Sequence, residues 1–178
     1  MLQCMPNRIQ RFKAMSSTAN TKASRTRRQR GYVWEDSISK RFNGVDGWSA
    51  FRLGSPSISL PDILAVNTAE SILYVIEAKS STTESLYVPA KQIHRCAQWL
   101  DIFDIYQTRA VILAFKFGAK RRTGTGTYEG RKLKEYFKIW RSDLPPADCT
   151  CRYDGTVKLR SDGIIPLRDC SMPFPVRC

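Results

Sequence analysis

Ile72-Leu73-Tyr74-Val75-Ile76-Glu77-Ala78-Lys79 is a nearly continuous apolar run that closes on an acid and a base two residues apart. Such a run is what a strand buried on both faces requires. Ile63–Val66, entered through Pro61-Asp62, has the same character, and Asn67–Ser71 between the two is short enough for a turn. The pair therefore reads as a hairpin. In an antiparallel pair the start of one strand lies beside the end of the other, so Asp62 should face Glu77. Alternation along the strand puts Glu77 and Lys79 on one face, about 7 Å apart.

Working outward, Trp48–Leu53 alternates apolar with small polar residues and reads as a further strand. Before it, apolar residues at 34, 38 and 42 recur at helical spacing, and Gly44 supplies a stop. Downstream, Pro89 stands at the first turn of a second helix, along which Ile93, Cys96, Ala97, Leu100 and Phe103 form an amphipathic stripe. Arg109–Phe115 reads as a buried strand, Gly118–Gly130 as a Gly/Thr-rich basic loop, and Tyr136–Trp140 as a last strand. The order helix, three strands, helix, strand predicts an α/β fold with a central mixed sheet flanked by helices. Residues 1–30 read as a flexible basic arm, 31–145 as the folded domain, and 146–178 as an irregular Cys/Pro-rich tail.

The chain has 178 residues and a formal net charge of +13. Eight of its 29 basic residues precede Gly31, where no acid occurs, which leaves 21 basic against 16 acidic residues in the remainder. A second basic stretch, Lys116–Arg141, holds nine bases against Glu129 and Glu135. Clustering of this kind favours a polyanion, above all nucleic acid, because each neutralised phosphate releases counterions. An acidic membrane surface or a ribosomal-type role are the alternatives at this point. No apolar run is long enough to span a bilayer and the N-terminus has no apolar signal core, so the chain reads as intracellular, with organelle targeting by the basic arm left open. The six cysteines lack the paired spacing of zinc fingers. They read as reduced thiols, and the sole histidine, His94, as structural or solvent-facing.

Two carboxylates and an ammonium converging at the end of a buried strand are costly unless something compensates them. A hard divalent cation with oxygen ligands does so, and Mg²⁺ typically takes one or two carboxylates together with substrate phosphate. A compact lysine charge beside it suits a developing negative phosphorane. The competing interpretation is a strand-end ion pair at Glu77 and Lys79 with Asp62 as a turn residue.

Beyond the triplet, the sequence resembles the archaeal Holliday-junction resolvases of the PD-(D/E)xK nuclease superfamily, over roughly residues 31 to 116. The landmarks are an early helix bearing Glu35, then Phe51-Arg52-Leu53-Gly54-Ser55 and Pro61-Asp62-Ile63. They continue with Ile76-Glu77-Ala78-Lys79-Ser80, Leu86-Tyr87-Val88 before a long helix, and Phe115-Lys116-Phe117. The chain departs from the pattern in a longer Pro56–Pro61 loop, in acidic Asp36, and in the arm and tail.

The resemblance implies a restriction-endonuclease-like core and a Mg²⁺-dependent endonuclease, with Mn²⁺ as a substitute. It implies catalytic roles for Glu35, Asp62, Glu77 and Lys79, and metal ligation by Asp62, Glu77, the Ala78 carbonyl and Glu35. It further implies phosphate contacts from Arg52, Ser55 and Lys116, a homodimer, and branched or duplex DNA as partner. The arm and the 118–130 loop would embrace the duplex arms. Alternatives on the same core are a restriction-type, repair or mobile-element nuclease, or a non-catalytic nucleic-acid-binding protein.

Overall fold

A computed structural model describes residues 8–53, 60–159 and 163–177. Helix α1 (Arg8–Asn43) leads into strands β1 (Trp48–Arg52), β2 (Ile63–Asn67) and β3 (Ile72–Ser81). A short strand β4 (Ser85–Val88) precedes helix α2 (Ala90–Ile102) and strand β5 (Thr108–Phe117). An exposed hairpin, β6 (Lys120–Arg122) and β7 (Tyr128–Gly130), leads to β8 (Lys134–Ile139). Strands β9 (Cys149–Arg152), β10 (Val157–Leu159) and β11 (Gly163–Ile165) follow. No helix among the described residues is long and apolar enough to cross a membrane.

The main sheet has the order β1-β2-β3-β5-β8. β3 and β5 are parallel and the other pairs antiparallel, so the sheet is mixed, as the order of elements predicts. Parallel neighbours need a crossover, and β4 with α2 supplies it. Because β3 and β5 are central, both of their faces are covered. Leu73 and Val75 pack with Val111, Leu113, Ile93 and Cys96 on the α2 side. Ile76 and Ala78 pack with Ile112, Ala114 and Phe137 on the α1 side, under the Trp34, Ile38 and Phe42 stripe. Those three α1 residues are at most 1% exposed, so the 3.6-residue period marks the buried face as expected.

Three expectations are corrected. The helix α1 runs back to Arg8, through most of the stretch read as a flexible arm. No proline falls between Pro6 and Pro56 and no glycine precedes Gly31, while Ala, Arg, Lys and Gln are good helix formers, so propensity extends the helix without an apolar period. The 118–130 segment is a hairpin, not an open loop. Gly126 takes φ +84° at its turn, and the Thr123, Thr125 and Thr127 hydroxyls bond one another there. Finally, 146–178 is not an irregular tail: β9, β10 and β11 join β4 in a second sheet of order β11-β10-β9-β4. Beyond that sheet Phe174 packs on Phe42, ring centroids 4.9 Å apart, and under the Arg41 guanidinium. Cys96, Cys149, Cys151 and Cys170 are buried free thiols, and burial pushes Cys149 and Cys151 up to about 12, so they act as apolar filler.

Candidate active site

The site begins where β2 runs out. Ile63 pairs with Ile76, so one step further Asp62 stands opposite Glu77, as the hairpin predicts. Beyond Ile76 the edge of β3 facing β2 has no further strand partner among the described residues. The Asp62 side chain takes the place of one: its Oδ2 accepts a hydrogen bond from the Ala78 amide at 2.8 Å. The Asp62 carbonyl in turn accepts from the Leu53 amide at 2.9 Å, tying β1 to the same point.

Glu77 is fully buried. Its Oε1 is 2.5 Å from Lys79 Nζ, on the same face of β3, and its Oε2 is 2.6 Å from Arg95 on α2. Lys79 keeps 23% of its side chain exposed, so the cluster opens to solvent on the lysine side. Burial, then the neighbouring Glu77 charge, pushes Asp62 up to about 7, against the pull of Lys79 and the Ala78 amide.

Glu35 lies on α1, and its carboxylate is 3.5 Å from Arg52 on β1. Burial raises its pKa, while Arg52 and Lys79 lower it. Arg52 also sits 5.2 Å over the Tyr32 ring. Glu35 is thus within electrostatic reach of Glu77, yet among the described residues no three carboxylates form a group able to hold a metal. What fits a hard divalent cation is the pair Asp62 and Glu77, two adjacent carboxylates, the first half-buried and the second fully buried.

Lys116 is not part of this cluster. It lies opposite Ser80 in the β3–β5 register, so it faces α1, where its Nζ is 4.8 Å from the Trp34 ring and 3.8 Å from Glu135. Burial lowers its pKa. It lines a small recess with Arg30, Trp34, Ser80 and Gly118. Ser55 lies outside the described residues. His94 is exposed, and Gln92 Oε1 is buried with no hydrogen-bond partner among the described residues.

Sequence reasoning missed Arg95. Its position beside Cys96, on the edge of the apolar stripe, marks it only as a helix residue that borders the sheet.

The root of the β6–β7 hairpin is bonded to residues just past Lys79: Gly118 N to Ser81 O at 2.9 Å and Arg122 N to Thr82 O at 3.1 Å. Arg121 turns to Glu84, 3.1 Å away, where Arg131 also pairs. Alternation puts Lys120 and Arg122 on the other face, with Arg122 across from Tyr128, and all three are exposed.

A sequence model of the family described as archaeal Holliday junction resolvase matches residues 26–138, well over half of the chain. Among solved structures, that of Hjc, a Holliday junction resolvase from the archaeal hyperthermophile Archaeoglobus fulgidus, aligns at 17% identity. The alignment covers 70% of this chain and 84% of that one, with a TM-score of 0.46. The comparison with curated proteins returns no match.

Proposed function

The chain belongs to the archaeal Holliday junction resolvase family, and from that premise we propose that it is a metal-dependent endonuclease that resolves four-way DNA junctions by paired phosphodiester hydrolysis, in recombination and repair. The observation that carries the residue-level reading is the convergence of Asp62, Glu77 and Lys79 where β2 ends and β3 continues.

In this reading Asp62 and Glu77, with the Ala78 carbonyl, hold Mg²⁺, for which Mn²⁺ can substitute. The ion supplies positive charge to the scissile phosphate. The chain's own groups do the rest. Lys79, tethered to Glu77 and open to solvent, donates hydrogen bonds to the attacking water or to the phosphate oxygen that gains charge. Asp62 must be ionised to serve as a ligand, so a proton competes with the metal there and metal binding weakens as pH falls.

Arg52 contacts a phosphate from the β1 side and Glu35 positions it, a supporting role for the acid in place of direct ligation. Ser55 is assigned a phosphate contact beside Arg52, from the family pattern alone. Lys116, on the other face of the sheet, contacts DNA away from the cut. The Lys120, Arg122 and Tyr128 face of the hairpin meets the duplex backbone by charge and shape. A four-way junction with near-twofold symmetry calls for two such sites, hence a homodimer. An enzyme with this substrate works inside the cell.

The test is cleavage of a synthetic four-way junction and a matched linear duplex, with Mg²⁺ or EDTA, by wild type and Glu77→Ala. Paired symmetric nicks in the junction alone, abolished by EDTA and by the substitution, are the expected result. Equal cutting of both substrates would leave a restriction-type or repair nuclease, and binding without product a non-catalytic DNA-binding protein.

A further inference from the structure

Asp62 and Glu77 face Lys79 and Arg95, so the four formal charges at this end of β3 sum to zero before any cation arrives. Glu77 is fully buried and each of its oxygens is engaged, Oε1 by Lys79 at 2.5 Å and Oε2 by Arg95 at 2.6 Å. A cation that ligates Glu77 must take one of these oxygens.

The two partners differ in how they are held. Lys79 stands two residues along the same strand, so its attachment keeps it at Glu77. Arg95 reaches in from a separate element, α2, at the end of a long side chain that is 14% exposed. Withdrawal of Arg95, unlike that of Lys79, leaves the side chains of β3 in place. A divalent cation added beside two retained cations raises the local charge to +2, which is unfavourable in a buried setting. A phosphate restores the balance, and a guanidinium fork suits a phosphate as well as it suits a carboxylate.

We infer that Arg95 is a positioning residue that holds Glu77 ready and competes with the metal for its Oε2, and that substrate phosphate draws Arg95 off, so that metal binding depends on DNA. The inference rests on the metal reading of Asp62 and Glu77 given above. It adds that, without DNA, the chain keeps its own cation where the metal's charge is needed.

The experiment is a Mn²⁺ titration followed by electron paramagnetic resonance of free Mn²⁺. It uses the full chain with and without a four-way junction whose phosphorothioate backbone resists cleavage. Removing one charge-assisted hydrogen-bond competitor is worth about tenfold or more. Arg95→Met should therefore bind Mn²⁺ at least about tenfold tighter than wild type when DNA is absent. Junction DNA should tighten Mn²⁺ binding to wild type by a similar factor and to the variant by much less. Arg95→Lys keeps the charge and should retain the weak, DNA-dependent affinity of wild type. Arg95→Gln carries the same comparison if circular dichroism shows the Met variant unfolded.

Equal or weaker Mn²⁺ affinity in Arg95→Met overturns the competition. DNA-independent Mn²⁺ affinity of wild type overturns it without any variant. Mn²⁺ bound by neither protein under either condition instead overturns the metal site on which the inference rests.

Discussion

Replacing Asp62 by Asn should stabilise the metal-free protein at alkaline pH while abolishing cleavage. Burial and the Glu77 charge raise Asp62 from 3.8 to about 7. Between those values the folded chain holds a proton that the unfolded chain has lost. The stability Asp62 contributes is therefore complete below 3.8 and is lost as pH rises through about 7. At about 1.36 kcal/mol per pH unit the ceiling is roughly 4 kcal/mol, and the partial exposure of Asp62 trims this to on the order of 2 kcal/mol. Asn keeps an oxygen to accept the Ala78 amide, so the hydrogen bond at the end of β2 survives while the buried charge is removed. Urea denaturation in EDTA, run on both proteins from pH 4 to pH 8, measures the gap. The variant should be more stable at pH 8 by about that amount, and the two should converge toward pH 4. A variant less stable than wild type at pH 8, or a gap that does not close with falling pH, would refute the account of Asp62 as an under-compensated buried carboxylate.

Glu77→Gln leaves Lys79 and Arg95 against a neutral amide and should cost about 3–5 kcal/mol in urea denaturation, besides eliminating junction cleavage. Lys79→Ala should lower the single-turnover cleavage rate by about a hundredfold or more with little change in junction affinity, since its role is met in the transition state. Alanine at both Lys120 and Arg122 should weaken junction binding and reduce the slope of log affinity against log salt by about 2, read by fluorescence anisotropy, with no change in cleavage rate at saturation. Gly155→Ala places a Cβ 2.6 Å from the Tyr136 ring at a φ of +86°, and should destabilise the protein by about 1–3 kcal/mol in thermal denaturation.

The pairing of Asp62 with Glu77 was legible because it is local. A four-residue turn fixes the register, and the register fixes which side chains meet. The α1 and α2 stripes were legible for the same reason, each being a period within one element. Arg95 was not, because its contact depends on how α2 settles over β3 across the crossover. The face of Lys116 follows from the β3–β5 register: parity sends it to α1, away from Lys79. Cys149-Thr150-Cys151-Arg152 alternates buried and outward residues as a strand should, but four residues are too few to outweigh the prolines around them. Its partner β4 lies some sixty residues earlier, and no local pattern announces such a pairing. Glu35 emerged only through family resemblance, since an acid on a helix has no signature of its own.

The lateness of that pairing bears on how the protein is made. On the ribosome β4 emerges well before β9, and Phe42 well before Phe174, so a nascent chain that already contains Asp62, Glu77 and α2 still shows water an open strand edge and an uncovered aromatic face. Edges and faces of that kind are where half-made proteins adhere to one another. Synthesis must therefore pass β9 and Phe174 before that edge and that face are covered, and a chain cut short before residue 138 leaves both open.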